Sequence, residues 1–357
     1  MEGQGRQDLG AGALSQSPAP IETDALIIGA GPVGLFQAFQ LGLLEISCHI
    51  VDALPAAGGQ CVALYGHKPI YDIPGTPVTS GRELAQSLLA QVAPFKPVFH
   101  FGEQVATLER QADQRLLLGT SAGHRFLAKT VFIAAGVGAF VPKRIALEDI
   151  GRFEGQSLFY HPDSLERFAG QAVVVNGGDD TALETAIALT AIARQVTLVH
   201  RRDGFQADEA TVAAMRALVA EGRLGFQVGQ PSGFDGHTLR IATPDASTVE
   251  LSLDALVACL GISPRLGPIA DWGFELERKQ VPVDTEKYQT REAGVFAVGD
   301  INTYPGKKKL IVCGFHEATL AAWGAAALVF PGKAIPLQYT TTSTRLHELL
   351  GVAGTKA

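Results

Sequence analysis

The sequence predicts an α/β chain built on two parallel sheets flanked by helices, and three observations predict it. Two glycine-rich turns, each preceded by an apolar run and followed by a helical pattern, open at Gly29 and Gly177. In both, a second apolar run ends 23 positions after the first glycine, at Asp52 and at His200. Strand, tight turn, helix and strand in that order, joined by short connections, make a parallel unit with a right-handed crossover. A chain of 357 residues has room for two such domains, each with its own core.

The first unit reads as a strand at Ala25 to Ile28, a glycine turn, a helix from Pro32 to Gly42 and a strand at Cys48 to Val51. In the turn, Gly29 permits the tight bend and Gly31 lets backbone approach a pyrophosphate. Gly34 lets the helix pack on the strand, with Pro32 and Val33 opening that helix. Asp52, at the end of the second strand, is placed to accept hydrogen bonds from the hydroxyls of a bare ribose. The second unit runs from Ala172 to Val199, with Thr181 to Ala193 as its helix. Its loop reads Gly177, Gly178, Asp179, Asp180, Thr181, so Asp179 stands where the fingerprint has its middle glycine and sets a negative charge in the pyrophosphate's approach. Its strand ends on His200, Arg201 and Arg202, cations that suit a ribose bearing a 2′-phosphate. Two Rossmann-like dinucleotide-binding domains result, one for FAD and one for NADPH.

Three further strands complete the plan. Thr130 to Gly136 ends in small residues, as expected where backbone passes a cofactor, and Ala255 to Gly261 is its counterpart in the second unit. Gly294 to Asp300 is a buried strand closing on an acid. It resembles the segment by which two-dinucleotide flavoproteins return to their FAD domain, which implies a discontinuous first domain: residues 21–141 and 286–335 are expected to bind FAD, and 142–285 to form the inserted NADPH domain. Residues 1–20 are expected to form a flexible tail.

With 46% hydrophobic residues, 18% charged and 40 glycines, the composition is that of an α/β enzyme rich in tight turns. The net charge of −7 excludes general affinity for nucleic acid. Cys48, Cys61, Cys259 and Cys313 form no C-x-x-C or metal-ligand spacing, so the sequence predicts buried thiols, a cytoplasmic protein and no metal site. The apolar stretch Ala318 to Phe330 reads as too short for a bilayer.

Five segments, G-A-G-P-V-G-L-F, G-G-Q-C-V-A-L-Y-G-H-K-P, A-A-G-V-G-A-F-V-P-K-R, H-R-R-D-G-F and G-D-I-N-T-Y-P-G-K, give the chain a resemblance to the thioredoxin-reductase-like, or type 2, ferredoxin–NADP⁺ reductases. The resemblance implies that Asp52 binds the adenosine ribose, that Gly59 and Gln60 lie in the flavin region, and that Tyr65 stacks on one face of the isoalloxazine. It implies Val105 at the adenine, Phe140 near the cofactor and Asp300 at the ribityl chain. In a C-terminal segment, 336–357, that covers the flavin, it implies Tyr339 stacked on the other face and Thr341 hydrogen-bonded to the ring. It also implies a homodimer.

Relatives that reduce thioredoxin carry a cysteine pair ahead of the second glycine loop, but Leu158 to Ser164 holds none here. Relatives of the glutathione-reductase type pair two cysteines beside the first G-G segment, but the position five after Cys61 is Gly66. Without a disulfide relay, electrons leave the flavin directly, which suits a one-electron carrier such as ferredoxin or flavodoxin. Such carriers are acidic, and Lys307, Lys308 and Lys309 with Lys68, Lys143 and Arg144 are expected to form a basic rim for one. Transfer between nicotinamide and flavin needs positioning and stacking, not a dedicated acid or base. The alternatives are a flavin-dependent NADPH oxidase or monooxygenase-like enzyme, and a non-enzymatic redox-sensing flavoprotein.

Overall fold

In the first unit, hydrophobic residues on both faces of the central strands dictate a sheet covered on two sides. Strands β1 (Ile21–Ile28), β2 (Cys48–Asp52), β3 (Val98–Phe101), β4 (Val105–Arg110), β5 (Leu116–Thr120) and β6 (Arg125–Ile133) lie in the order β3-β2-β1-β6-β5-β4. Helix α1 (Pro32–Leu43) links β1 to β2, and α2 (Gly81–Val92) precedes β3. Strands β1, β2, β3 and β6 are parallel, while β4 and β5 form an antiparallel meander onto β6. The computed structural model describes residues 19–352 apart from 65, 161 and 163. Residues 1–18 of the expected tail, Tyr65 and the last five residues lie outside the described residues.

The second unit is a parallel sheet of β7 (Leu158–Tyr160), β8 (Ala172–Gly177), β9 (Gln195–His200), β10 (Gly225–Val228) and β14 (Ala255–Cys259), in the order β7-β14-β8-β9-β10. Helix α3 (Asp180–Leu189) joins β8 to β9, and α4 (Glu209–Ala220) joins β9 to β10. The expected helix to Ala193 stops at Leu189: Thr190 is its C-cap, and the bonds Thr190 N to Ile187 O and Ile192 N to Leu189 O tighten the chain into a turn. A three-stranded antiparallel sheet of β11 (Gln230–Phe234), β12 (Thr238–Ala242) and β13 (Thr248–Ser252) supplies Leu239 and Ile241 to one face of the parallel sheet, against Val174 and Leu256. Helix α3 covers the other face, where Leu183 and Ala186 pack with Val173 and Val175.

The chain then returns to the first unit. Strand β15 (Val295–Ala297) pairs with the C-terminal half of β6, on the same edge that β5 occupies at its N-terminal half. Helices α5 (Ile311–Val329) and α6 (Thr344–Leu349) follow. Alternation along β1 sorts the core: Ala25 and Ile27 face α1 and α5 with Ile50, Phe132 and Phe296, whereas Leu26 and Ile28 face the other way with Val51, Val131 and Ile133. The rings of Phe132 and Phe296 stack at 5.0 Å across adjacent strands.

Two expectations need correction. The boundary placed at residue 285 falls instead at 265: the compact units are Met1–Ala139 with Leu266–Ala357, and Phe140–Arg265. Residues 266–285 belong with the first unit because Ile269, Trp272, Phe274 and Val281 pack against Leu26 and Val131, and Val281–Pro282 pairs in parallel with Asn302–Thr303. The apolar stretch thought too short for a membrane is part of the 19-residue helix α5, which passes that test by length and composition. Its alanine face, Ala318, Ala321, Ala322 and Ala325, is buried in the core.

Candidate functional site

The first glycine turn is built by what glycine lacks. Gly29 has φ of +108°, and a Cβ there would lie 2.4 Å from the carbonyl oxygen of Ala134; a Cβ on Gly34 would lie 1.9 Å from that of Gly29. Strand β1, helix α1 and the end of β6 therefore meet backbone to backbone. Helix α1 begins at Pro32 with no side-chain cap and no acidic residue in its first turn. Its first N–H groups are left for an anion, and the aligned peptide dipoles favour one there. This cradle fits the pyrophosphate of a dinucleotide.

Asp52 closes the cradle. Its Oδ2 accepts from Ala30 N at 2.6 Å and its Oδ1 from Leu54 N at 2.8 Å. Burial raises its pKa, and the two N–H donors oppose that shift without cancelling it. Both oxygens retain lone pairs for ribose hydroxyls. Val105 is buried at the start of β4, on the segment whose Glu103 N–H bonds Asp52 O. Gly59 faces Gly31, and Gln60 Nε2 donates to Asp300 Oδ2 at 3.2 Å, bringing together two residues far apart in sequence. Phe140 lies in the short strand Ala139–Pro142. Tyr339 is 65% exposed, and Thr341 is exposed beside it. Their segment is anchored by α6, where Leu346 is buried and Arg345 pairs with Glu45 at 2.5 Å.

Sequence reasoning missed the group that holds Asp300 in place. Glu317, on α5, is fully buried. Its carboxylate accepts from Gly299 N at 2.7 Å, Asn302 Nδ2 at 2.8 Å, Tyr304 Oη at 2.9 Å and Lys307 Nζ at 2.5 Å. Lys307 also donates to Gly299 O at 2.9 Å, and Gln280 Nε2 donates to the carbonyls of Asp300 and Asn302. Every donor serves the turn that carries Asp300. Lys307 is therefore not part of a surface rim: its side chain is 7% exposed and neutralises a buried carboxylate. Lys68, Lys308 and Lys309 are exposed. The available signal was a lone carboxylate inside the apolar run I-V-C-G-F-H-E-A-T-L-A-A, which polarity alone would have sent to the surface.

In the second unit, a Cβ on Gly178 would fall 2.2 Å from the ring of His200, so the end of β9 lies directly over the loop. His200 stacks on Phe205, and burial, then the charges of Arg201 and Arg202, lower its pKa. The imidazole is held neutral and leaves the positive charge to the two exposed arginines. Asp179 has a structural role at the start of this unit's first helix. It is the N-cap of α3, and its Oδ1 accepts from Ala182 N at 3.0 Å. Asp180 Oδ1 accepts from Asp208 N at 2.8 Å, tying the helix start to the segment before α4, and Thr181 is exposed. Lys143 and Arg144 are exposed in this unit, with Arg144 paired to Glu154 and lying over the Tyr160 ring.

The four cysteines are free. Burial, with Asp300 nearby, pushes the Cys61 thiol up to about 11, and burial takes Cys48 and Cys259 to about 12. Thiols held neutral in this way are poor nucleophiles.

Two variants test these assignments. Glu317→Gln leaves the Lys307 ammonium buried without its counter-charge, and is expected to cost about 3–5 kcal/mol of stability and to free the Asp300 turn. Urea unfolding gives the first, and flavin retained through gel filtration gives the second. Asp179→Ala is expected to cost about 1 kcal/mol through the lost cap, and Asp179→Gly only a few tenths. A gain in stability for either would show that the carboxylate does not serve the helix.

Residues 23–321 match the family of pyridine nucleotide-disulphide oxidoreductases. Over 338 residues the chain is 53% identical to a protein of Cupriavidus metallidurans named ferredoxin–NADP reductase 2, covering 93% of this chain and 92% of that one. Over 361 residues it is 52% identical to the ferredoxin–NADP reductase of a Polaromonas species, covering 99% and 98%. Among solved structures, the thioredoxin reductase of Lactococcus lactis aligns with a TM-score of 0.62 at 22% identity, covering 86% of this chain and 99% of that one. A bacillithiol disulfide reductase of Staphylococcus aureus aligns at 0.66 and 16%, with the same coverage. The glycine cradle, the acid that closes it and the cation-ended second unit thus sit in a chain that belongs to the pyridine nucleotide-disulphide oxidoreductase family, among its ferredoxin–NADP reductases.

Proposed function

We propose that the chain is an FAD-dependent ferredoxin–NADP⁺ reductase, passing electrons between NADPH and a small acidic one-electron carrier, ferredoxin or flavodoxin. The observation that carries this reading is the state of the cysteines. The fold is that of reductases named for thioredoxin and a disulfide substrate, yet Cys48, Cys61, Cys259 and Cys313 are all free, and three of them are buried. With no thiol pair to relay electrons, the acceptor takes them from the flavin itself. FAD, when bound, supplies pairwise uptake and single release of electrons.

The chain's residues supply placement. The N-terminus of α1 holds the pyrophosphate, Asp52 accepts from the adenosine ribose, and Asp300, steadied by Gln60 and by the Glu317 network, faces the ribityl chain. Arg201 and Arg202 neutralise the 2′-phosphate of NADPH, beside a neutral His200. Tyr339 covers one face of the ring and Thr341 bonds its edge, and the family resemblance assigns Tyr65 to the other face and Phe140 to the cofactor's neighbourhood. Electrostatic docking falls to exposed Lys308 and Lys309. The proposal extends to a cytoplasmic homodimer.

Coenzyme choice tests the second unit. Replacing both Arg201 and Arg202 with Ala is expected to raise KM for NADPH about 10–100-fold, the equivalent of a lost charge-assisted hydrogen bond, while KM for NADH hardly moves. Equal changes would detach the arginines from the 2′-phosphate. For the carrier, Lys308→Glu with Lys309→Glu is expected to raise KM for ferredoxin in cytochrome c reduction and to flatten its salt dependence. Reduction of ferricyanide by NADPH, which needs no docking surface, is the control. Its parallel loss would place these lysines in support of the flavin site.

A further inference from the structure

Three histidines and a glutamate meet at the edge of the first unit's sheet, in groups that the dinucleotide chemistry leaves unused. His49 lies on β2 and His100 on the neighbouring β3, where their rings stack at 5.2 Å and His49 Nδ1 is 2.9 Å from His100 Nε2. Glu103 follows in the turn after β3, its side chain 9% exposed. His124 comes from the turn between β5 and β6, and its Nδ1 lies 2.8 Å from Glu103 Oε1. His100 Nδ1 is 3.9 Å from that same oxygen. One donor atom from each of His100, Glu103 and His124 lies within 4.8 Å of the other two.

We propose that His100, Glu103 and His124 bind a divalent transition-metal ion of the zinc class. Donor atoms about 2.0–2.1 Å from a tetrahedral zinc stand roughly 3.3 Å from one another, and the separations of 2.8 and 3.9 Å bracket that value. The remaining hydrogen bonds aim the donors. With its proton on Nε2, His100 donates to His49 and turns the lone pair of Nδ1 toward Glu103. Thr120 Oγ1 donates to Glu103 Oε2 at 2.7 Å, which leaves Oε1 for the ion. Such outer partners, an acceptor behind the imidazole and a donor behind the carboxylate, orient the ligands of metal sites. Binding replaces the short contact between His124 and Glu103 by two bonds to the ion.

Two imidazoles and one carboxylate favour zinc, cobalt, nickel or copper over magnesium and calcium, which take oxygen donors. His124, with half its side chain exposed, opens the fourth position to water. Glu103 N donates to Asp52 O, and Gly102 N to Leu54 O, so the ion would brace the turn between β3 and β4 where it bonds the end of β2. His124 lies 21 residues beyond Glu103, and the set shares no C-x-x-C or H-x-x-x-H spacing, which is why the sequence predicts no metal.

The test uses the full-length, FAD-loaded protein without a histidine tag, stripped with chelator and dialysed against buffered zinc ion. The wild type is expected to retain one zinc per chain, and its thermal midpoint is expected to rise with zinc concentration. His124→Ala, on a half-exposed ring, is expected to lose both effects. His49→Ala, which removes only the acceptor behind His100, is expected to weaken binding about 10–100-fold. His237→Ala, at an exposed position in the other unit, is expected to change neither. No zinc retained by the wild type at micromolar free zinc, or equal retention by the wild type and His124→Ala, overturns the proposal.

Discussion

A carboxylate with no exposure to solvent holds the first unit's site together. A buried charge costs several kcal/mol unless partners satisfy it, and Glu317 has four: a backbone N–H, an amide, a phenol and an ammonium. All four donors lie between Gly299 and Lys307. One carboxylate therefore fixes the whole Gly299 to Lys307 loop against helix α5. Asp300 sits inside this loop, and its bond to Gln60 depends on that placement. The phenol of Tyr304 is driven to a higher pKa by burial and by Glu317, so it remains the donor in the pair. A charge pair of this kind is poor evidence for global stability and good evidence for a specified geometry.

The same economy shapes the glycine turns. The first has an uncapped helix and backbone packed on backbone, so its N–H groups face outward to a ligand. The second has Asp179 as a cap, and Asp180 tied to Asp208. The first helix start depends on an anion for satisfaction, whereas the second is partly satisfied by its own side chains. That difference supports the proposed assignment of a resident dinucleotide to the first unit and of a leaving co-substrate to the second.

Much of this architecture was legible in local sequence. Both βαβ units, the short connections and the charge of each strand end follow from hydrophobic period, glycine spacing and the chemistry of a ribose with or without a phosphate. The glycines at 29 and 34 could be read because each solves a problem set by its near neighbours. The buried face of α5 was harder to read: the sequence shows an alanine-rich run, and only packing against α1 distinguishes a core helix from a membrane span.

The sequence by itself determined the two dinucleotide units, the acid and the arginines at their strand ends, and the lack of a cysteine relay, because each is set by spacing along the chain. Tertiary structure alone decided that Lys307 turns inward to Glu317 and that residues 266–285 pack with the first unit. It alone brought His49, His100, Glu103 and His124 together. For the side chains, a charged or polar group takes its role from the nearest unsatisfied partner, and the partners of Lys307 and His124 come from separate elements that no local pattern joins.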